Sequence, residues 1–207
     1  MGLVRGLLCA GIFLGILCPV YTEGTDKQVV VTFELSVKWE GAKKEEIVLS
    51  DSTKIDIARL GELLGLDLGE EEDEEEKDEE EGLEGLLKLI FKQRVYKVEG
   101  ELGFRRTLTE TMQDATKTVS KAGYIVTGDL ELGIKLKDGS KIIIEEAELN
   151  GDCTVTTTIR GLRQKVELNL DLVGVVDVTR VVQKGGKEFT YNGEGELEIC
   201  VEEPEDE

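Results

Sequence analysis

The chain has no histidine among its 207 residues, and that one absence removes several chemistries together. Serine and cysteine triads that use imidazole as the base, His-ligated zinc and most general acid–base work near neutral pH all depend on it. Cysteine is scarce as well. Of the four present, Cys9 and Cys18 belong to an N-terminal apolar run, and the remaining Cys153 and Cys200 are too few for a four-thiolate zinc site. No Gly-x-x-x-x-Gly-Lys-Ser/Thr loop occurs, and the glycines sit inside strand-like stretches, so nucleotide phosphates find no cradle. Aromatic residues amount to 5%, with a single Trp, which leaves little to stack a sugar on; a two-carboxylate glycosidase has only the abundance of acids in its favour. Basic runs interleaved with aromatics are missing too, and phosphates would meet a net charge of −20, so nucleic acid is not an expected ligand. These absences lead to the expectation of a non-catalytic protein with no cofactor and no built metal site.

What the chain does have is alternation. Between Tyr124 and Val201 nearly every stretch reads with period 2, the signature of a half-buried strand. Val126, Gly128, Leu130, Leu132, Ile134 and Leu136 share one phase, with Asp129, Glu131, Lys135 and Lys137 in the other. Asp138-Gly139 then suits a type I′ turn, and 142–149 returns as the partner strand. Asn150-Gly151 repeats the turn signal before Cys153, Val155, Thr157 and Ile159. Val166, Leu168, Leu170 and Leu172 follow, then an apolar stretch at 175–182. Gly185-Gly186 leads into a last strand with Phe189, Tyr191, Gly193, Gly195, Leu197, Ile199 and Val201 on one face. Earlier in the chain, Val29, Val31, Phe33, Leu35, Val37 and Trp39 alternate in the same way, with 44–49 as a hairpin partner. Tyr96, Val98, Gly100, Leu102, Phe104, Leu108 and Met112 share a phase in another long stretch, which Arg106 and Glu110 interrupt; an outward bulge accounts for them. Gln113 to Gly123 reads as a polar connection.

The period changes twice. Thr53 and Asp56 resemble a capping box ahead of Ile57, Leu60 and Leu64, and Leu83, Leu86, Leu87 and Ile90 carry the same helical spacing. These two short amphipathic helices bracket an acidic insertion, 67–82, in which 12 acids face one Lys. Such a block has nothing apolar to bury, so a disordered surface loop is expected, with loose attraction of Ca²⁺ or docking of a basic protein as its candidate functions. With the acidic tail, 202–207, it accounts for most of the net charge, so the acidity is read as local and not as a property of the fold.

A weak repeat overlies the strands. Tyr96, Gly100 and Leu102, then Tyr124, Gly128 and Leu130, then Tyr191, Gly195 and Leu197 all follow Tyr-x-x-x-Gly-acid-Leu. Glycine on an inward face marks a place where a sheet curls or leaves space. Tyr96, Gly100, Tyr124, Gly128, Tyr191 and Gly195 are therefore candidate residues lining an apolar cavity.

At the N-terminus, Arg5 precedes the apolar run 7–20, which is too short for a comfortable membrane span and fits a secretory signal peptide, 1–24. The mature chain is then extracytoplasmic: secreted, periplasmic or in the cell envelope. Acylation at Cys18 is disfavoured by Leu17 before it, so membrane anchoring is not expected. In an oxidising compartment Cys153 and Cys200 are a candidate disulfide, although they fall in opposite phases of their strands.

The expected fold is mainly β: one domain, 25–201, with about nine strands in a curved antiparallel sheet or half-open barrel, and the two helices capping or filling the opening. A two-sheet sandwich is the rival. A membrane barrel would carry aromatic girdles, which this chain lacks. Two functions remain. One is binding of a lipid-like or other hydrophobic small molecule inside the sheet; the other is a solid scaffold whose acidic insertion binds divalent cations or a basic partner.

Overall fold

The computed structural model describes residues 28–40, 46–66 and 82–202. The expected leader, residues 67–81 of the insertion and the tail from 203 onward lie outside them. Seven strands form one antiparallel sheet: β1 (Gln28–Trp39), β2 (Glu46–Asp56), β3 (Val95–Gln113), β4 (Thr118–Lys135), β5 (Lys141–Arg160), β6 (Arg163–Lys184) and β7 (Lys187–Glu202). Their order across the sheet is β2-β1-β7-β6-β5-β4-β3. The sheet is not closed, because β2 and β3 are its two edges and do not pair with each other. Two helices, α1 (Ile57–Leu64) and α2 (Leu83–Phe91), lie on its apolar face, and no second sheet faces it among the described residues.

Each strand's alternating pattern fixes which face is covered. Val29, Val31, Phe33, Leu35 and Val37 of β1 are all 0% exposed. One row across the sheet shows the register: Phe33, Ile199, Leu172, Gly151, Val126 and Phe104 lie opposite one another in turn. The helices supply the other half of this core through Ile57, Leu60, Leu63 and Leu64 of α1 and Leu83, Leu86, Leu87, Ile90 and Phe91 of α2. The ring of Phe91 meets Phe33 edge-on, with centroids 4.8 Å apart, a favoured aromatic geometry. Because α2 packs against β1, β2 and β3 alike, it bridges the gap between the two sheet edges. The turn Lys92–Arg94 extends the bridge: Arg94 pairs with Asp51 of β2 and lies 5.5 Å over the Phe91 ring.

Seven strands stand where about nine were expected, and the Asn150-Gly151 turn signal is not a turn. Asn150-Gly151 runs straight through the middle of β5, and Gly174 through the middle of β6. Gly151 stands opposite Leu172, and Gly174 opposite Leu149. A Cβ on Gly151 would lie 1.8 Å from the carbonyl oxygen of Asp171, so glycine here permits a close approach of backbones and lets a 20-residue strand bend without breaking. The real β5–β6 turn is at Gly161, where φ is +60°. At 138–139 only Gly139 has positive φ, so the turn is not type I′. Asp138 instead accepts hydrogen bonds from the Ser140 N–H (2.9 Å) and hydroxyl (2.6 Å), the Asx geometry that mimics a backbone turn.

Three smaller expectations also change. Thr53 lies within β2 opposite Val31, and the Asp56 side chain makes no capping bond to α1, so the capping box is not formed. Gln113 to Gly123 is no open connection: β3 reaches Gln113, and β4 resumes at Thr118 after a four-residue turn. A bulge between Arg106 and Leu108 does occur, and it turns Leu108 and Met112 to the face opposite that of Phe104.

Candidate functional site

The six candidate cavity residues do not converge. A second bulge, between Val95 and Lys97, turns Tyr96 to the outer face, where its ring lies on Gly133 and under the Lys141 ammonium (5.4 Å). Burial raises the pKa of its phenol. Tyr124 stays on the inner face, half-buried between Phe104 (centroids 6.2 Å apart) and Arg106 (5.6 Å). Tyr191 lies opposite Arg180, toward the turn that joins β6 to β7, and is 51% exposed. Gly100 and Leu102 of β3 stand opposite Leu130 and Gly128 of β4. A Cβ on Gly128 would lie 2.3 Å from the Glu101 carbonyl oxygen, and one on Gly195 2.4 Å from that of Ser36. The space in front of these glycines is therefore filled by neighbouring backbone. In the first two copies of the repeat each Leu stands opposite the other's Gly, with the Leu102 side chain over Gly128, whereas Gly195 stands opposite Val37 and Val176.

Cys153 and Cys200 are both free. Cys153 faces inward on β5, 1% exposed, while Cys200 faces outward on β7, and β6 runs between them. A bond would have to pass through the sheet, so the candidate disulfide does not form. Burial pushes the Cys153 thiol up to about 11. Cys200 is pushed up to about 12, by burial first and then by the Glu198 and Asp171 carboxylates, to which its thiol donates at 3.0 and 3.8 Å. These three side chains bring ligand atoms within 4.8 Å of one another on the outer face. With the sulfur holding its proton, though, they offer a metal two exposed carboxylates and a neutral thiol.

One cleft of about 310 Å³ opens where α1 ends and α2 begins, lined by Glu62, Leu63, Leu64, Gly65, Gly82, Leu83 and, from β3, Gly100, Glu101 and Leu102. Of the six candidate cavity residues, Gly100 alone borders it. Residues 67–81 join its two helical walls in sequence.

The outer face of the sheet carries the densest chemistry, and composition alone does not show it. Glu196, Val175, Glu148, Asp129 and Glu101 form one row across β7, β6, β5, β4 and β3. Beside it, Glu34, Glu198, Val173 and Asn150 form a second. Glu99 stands opposite Glu131, Asp152 opposite Asp171, and Asp177 opposite Glu194. Directly opposed like charges destabilise a sheet, and neither of the two rows contains a Lys or Arg. The acidity is thus a property of the fold as well as of the insertion, which corrects the expectation from charge sums. Positive residues gather at the strand ends, Arg160, Arg163 and Lys165 at one and Lys135, Lys137, Lys184 and Lys187 at the other, and others flank the two rows: Lys38 stands opposite Glu194, Lys97 pairs with Glu131, and Arg105 lies in the row of Asp152 and Asp171. Within the acidic face Val175 is 81% exposed and Val173 42%. The available signal was the phase of the acids: residues 194, 196 and 198, like 99 and 101, alternate with buried positions.

No family model and no curated protein matches the chain. Among solved structures it is similar to Ail, the attachment invasion locus protein of Yersinia pestis, at 8% identity over 84% of this chain and 96% of that one, with a TM-score of 0.16. A superposition that loose supports nothing about the fold or its use.

Proposed function

We propose that the protein is a non-catalytic, exported β scaffold that docks a basic partner protein on its acidic outer face. The observation that carries this reading is Val175, 81% exposed between Glu148 and Glu196 in an unbroken cross-strand row. A Lys or Arg from a partner can lay its methylene stem on the Val173–Val175 stripe while its head meets the flanking carboxylates. The like-charge cost in the free protein is relieved when cationic heads arrive. Export rests on the N-terminal apolar run, and the insertion adds negative charge that speeds encounter with the same partner.

Calorimetric titration with a Lys/Arg-rich peptide tests this. Binding should weaken with salt, fall about two- to fivefold for each of Glu148→Gln and Glu196→Gln, and fall again for Val175→Ser. Peptide binding that survives all three variants would remove the outer face from the reading. Calcium titrated at constant ionic strength separates a cation site: a thermal shift that these variants abolish, with no peptide binding, would favour divalent cations as the ligand.

A second reading, binding of a hydrophobic small molecule, is supported by the cleft that Leu63, Leu64, Leu83 and Leu102 line. Titration with a fluorescent fatty acid tests it. Uptake that Leu102→Asp abolishes would support it, and a flat titration would leave the scaffold reading alone.

A further inference from the structure

Four of the seven strands run on past the core as a blade. Among the described residues β6 pairs with β7 only from Leu170 onward, and Val166 and Leu168 are still buried, so the blade beyond the core is residues 163–165 of β6 with the facing ends of β3, β4 and β5, a reach of about 10 Å at the usual rise per residue. The blade ends in two hairpins side by side. Thr118 of β4 pairs with Ile159 of β5, which brings the β3–β4 turn at 114–117 next to the β5–β6 turn at 161–162. Leu162, 60% exposed, leads at this apex from the tip of its turn, while Met112 (68%) and Ile159 (40%) lie one row behind the last pair of their hairpins. Arg160 and Arg163 stand just behind Leu162, one on either side of it, and Lys117 closes the neighbouring turn. The one acid in the two turns, Asp114, is directed onto its own turn. It accepts the N–H groups of Thr116 (2.7 Å) and Lys117 (2.9 Å) and the Thr116 hydroxyl (2.8 Å), which hold its pKa below the usual carboxylate value.

We infer that this apex docks peripherally on an anionic lipid surface, with Leu162 entering the headgroup layer and Arg160 and Lys117 meeting its phosphates. At the tip of its hairpin Leu162 lies ahead of the charges, as apolar groups do in segments that lie in a membrane interface. The acidic outer face acts in the same direction, because an anionic surface repels it and turns the blade toward the lipid. The opposite end of the sheet shares the positive charge but not this arrangement: its β6–β7 turn is Lys184-Gly185-Gly186-Lys187, with no apolar residue leading.

Sedimentation of the full chain with vesicles tests the inference. Wild type is expected to pellet with mixed phosphatidylcholine–phosphatidylglycerol vesicles, to stay in solution with phosphatidylcholine alone, and to be partly released by high salt. Arg160→Glu and Leu162→Asp, checked by thermal melting for an unchanged fold, should each lower binding about tenfold or more. A Leu162→Trp variant in a Trp39→Phe background should shift its emission to the blue on addition of the anionic vesicles. Wild type that ignores both kinds of vesicle would overturn the inference, as would folded apex variants that bind as well as wild type. Equal binding to soluble polyglutamate, unaffected by Leu162→Asp, would overturn it in favour of an acidic protein partner.

Discussion

At the scale of single residues, the two thiols and the inward glycines make the firmest demands. Cys153 and Cys200 keep their protons well above the ordinary thiol value of 9.0, to about 11 and about 12. The thiolate is the reactive form, so at pH 8 the folded protein should react with a disulfide reagent on the order of a hundredfold more slowly than the unfolded chain, and kinetics in buffer and in denaturant check this. The same shifts carry a pH dependence. Above about pH 8.5 the unfolded chain loses thiol protons that the fold retains, so stability is undiminished below that point and falls as pH rises through about 11 and 12. Gly151→Ala places a methyl group where the Asp171 carbonyl oxygen already lies, 1.8 Å away. It should cost roughly 3 kcal/mol, at the upper end of ordinary overpacking, in a denaturant melt. Gly161→Ala, at an open turn, should cost less, since only its φ of +60° is strained.

At the scale of elements, α2 is what makes an open sheet stable on its own. Its apolar residues lie over β1, β2 and β3 together, so one helix covers the space between two edges that do not meet. Phe91, 1% exposed against Phe33, is the centre of that contact. Phe91→Ala should cost roughly 3–5 kcal/mol in a urea melt, with amide exchange accelerated at the β2 and β3 edges more than in the central β5–β6 pair. The Arg94–Asp51 link at the end of the helix is partly exposed, so its removal should be felt far less. The bulges act at this scale as well. One extra residue at Tyr96 and another beside Thr107 each reverse which face the following side chains take, which no count of alternation along β3 alone detects.

At the scale of the whole molecule, charge is sorted by location. Two central rows of the outer face carry acids and no cation, positive residues gather at the blade apex and the opposite strand ends, and the chain as a whole carries −20. Exposed like charges are screened beyond about 10 Å at 0.1 M salt, so thermal stability should rise from low salt to that range as repulsion among Glu101, Asp129 and Glu148 is damped. Asp129→Asn, which splits that row in the middle, should raise the low-salt melting temperature and flatten the salt dependence. Melting temperatures that fall with added salt would show that paired charges, and not repulsion, dominate the face.

Much of the β architecture was legible in the sequence, because alternation is local: a strand with one covered face must repeat every two residues whatever lies across from it. The strands β1 and β7 and the buried stripes of both helices follow from that period and from the 3.6-residue period alone, and so does the opposition of Cys153 and Cys200, which their phases already signalled. What lies between strands was not legible. Whether Asn150-Gly151 turns the chain or lets it pass depends on Asp171 and Leu172 of the neighbouring strand, and whether Tyr96 points in or out depends on one residue of register against Gly133. The acidic face has the same character. Each strand supplies one or two carboxylates at unremarkable spacing, and only the pairing of β7, β6, β5, β4 and β3 sets them side by side, because tertiary structure decides distances between residues that the chain keeps far apart.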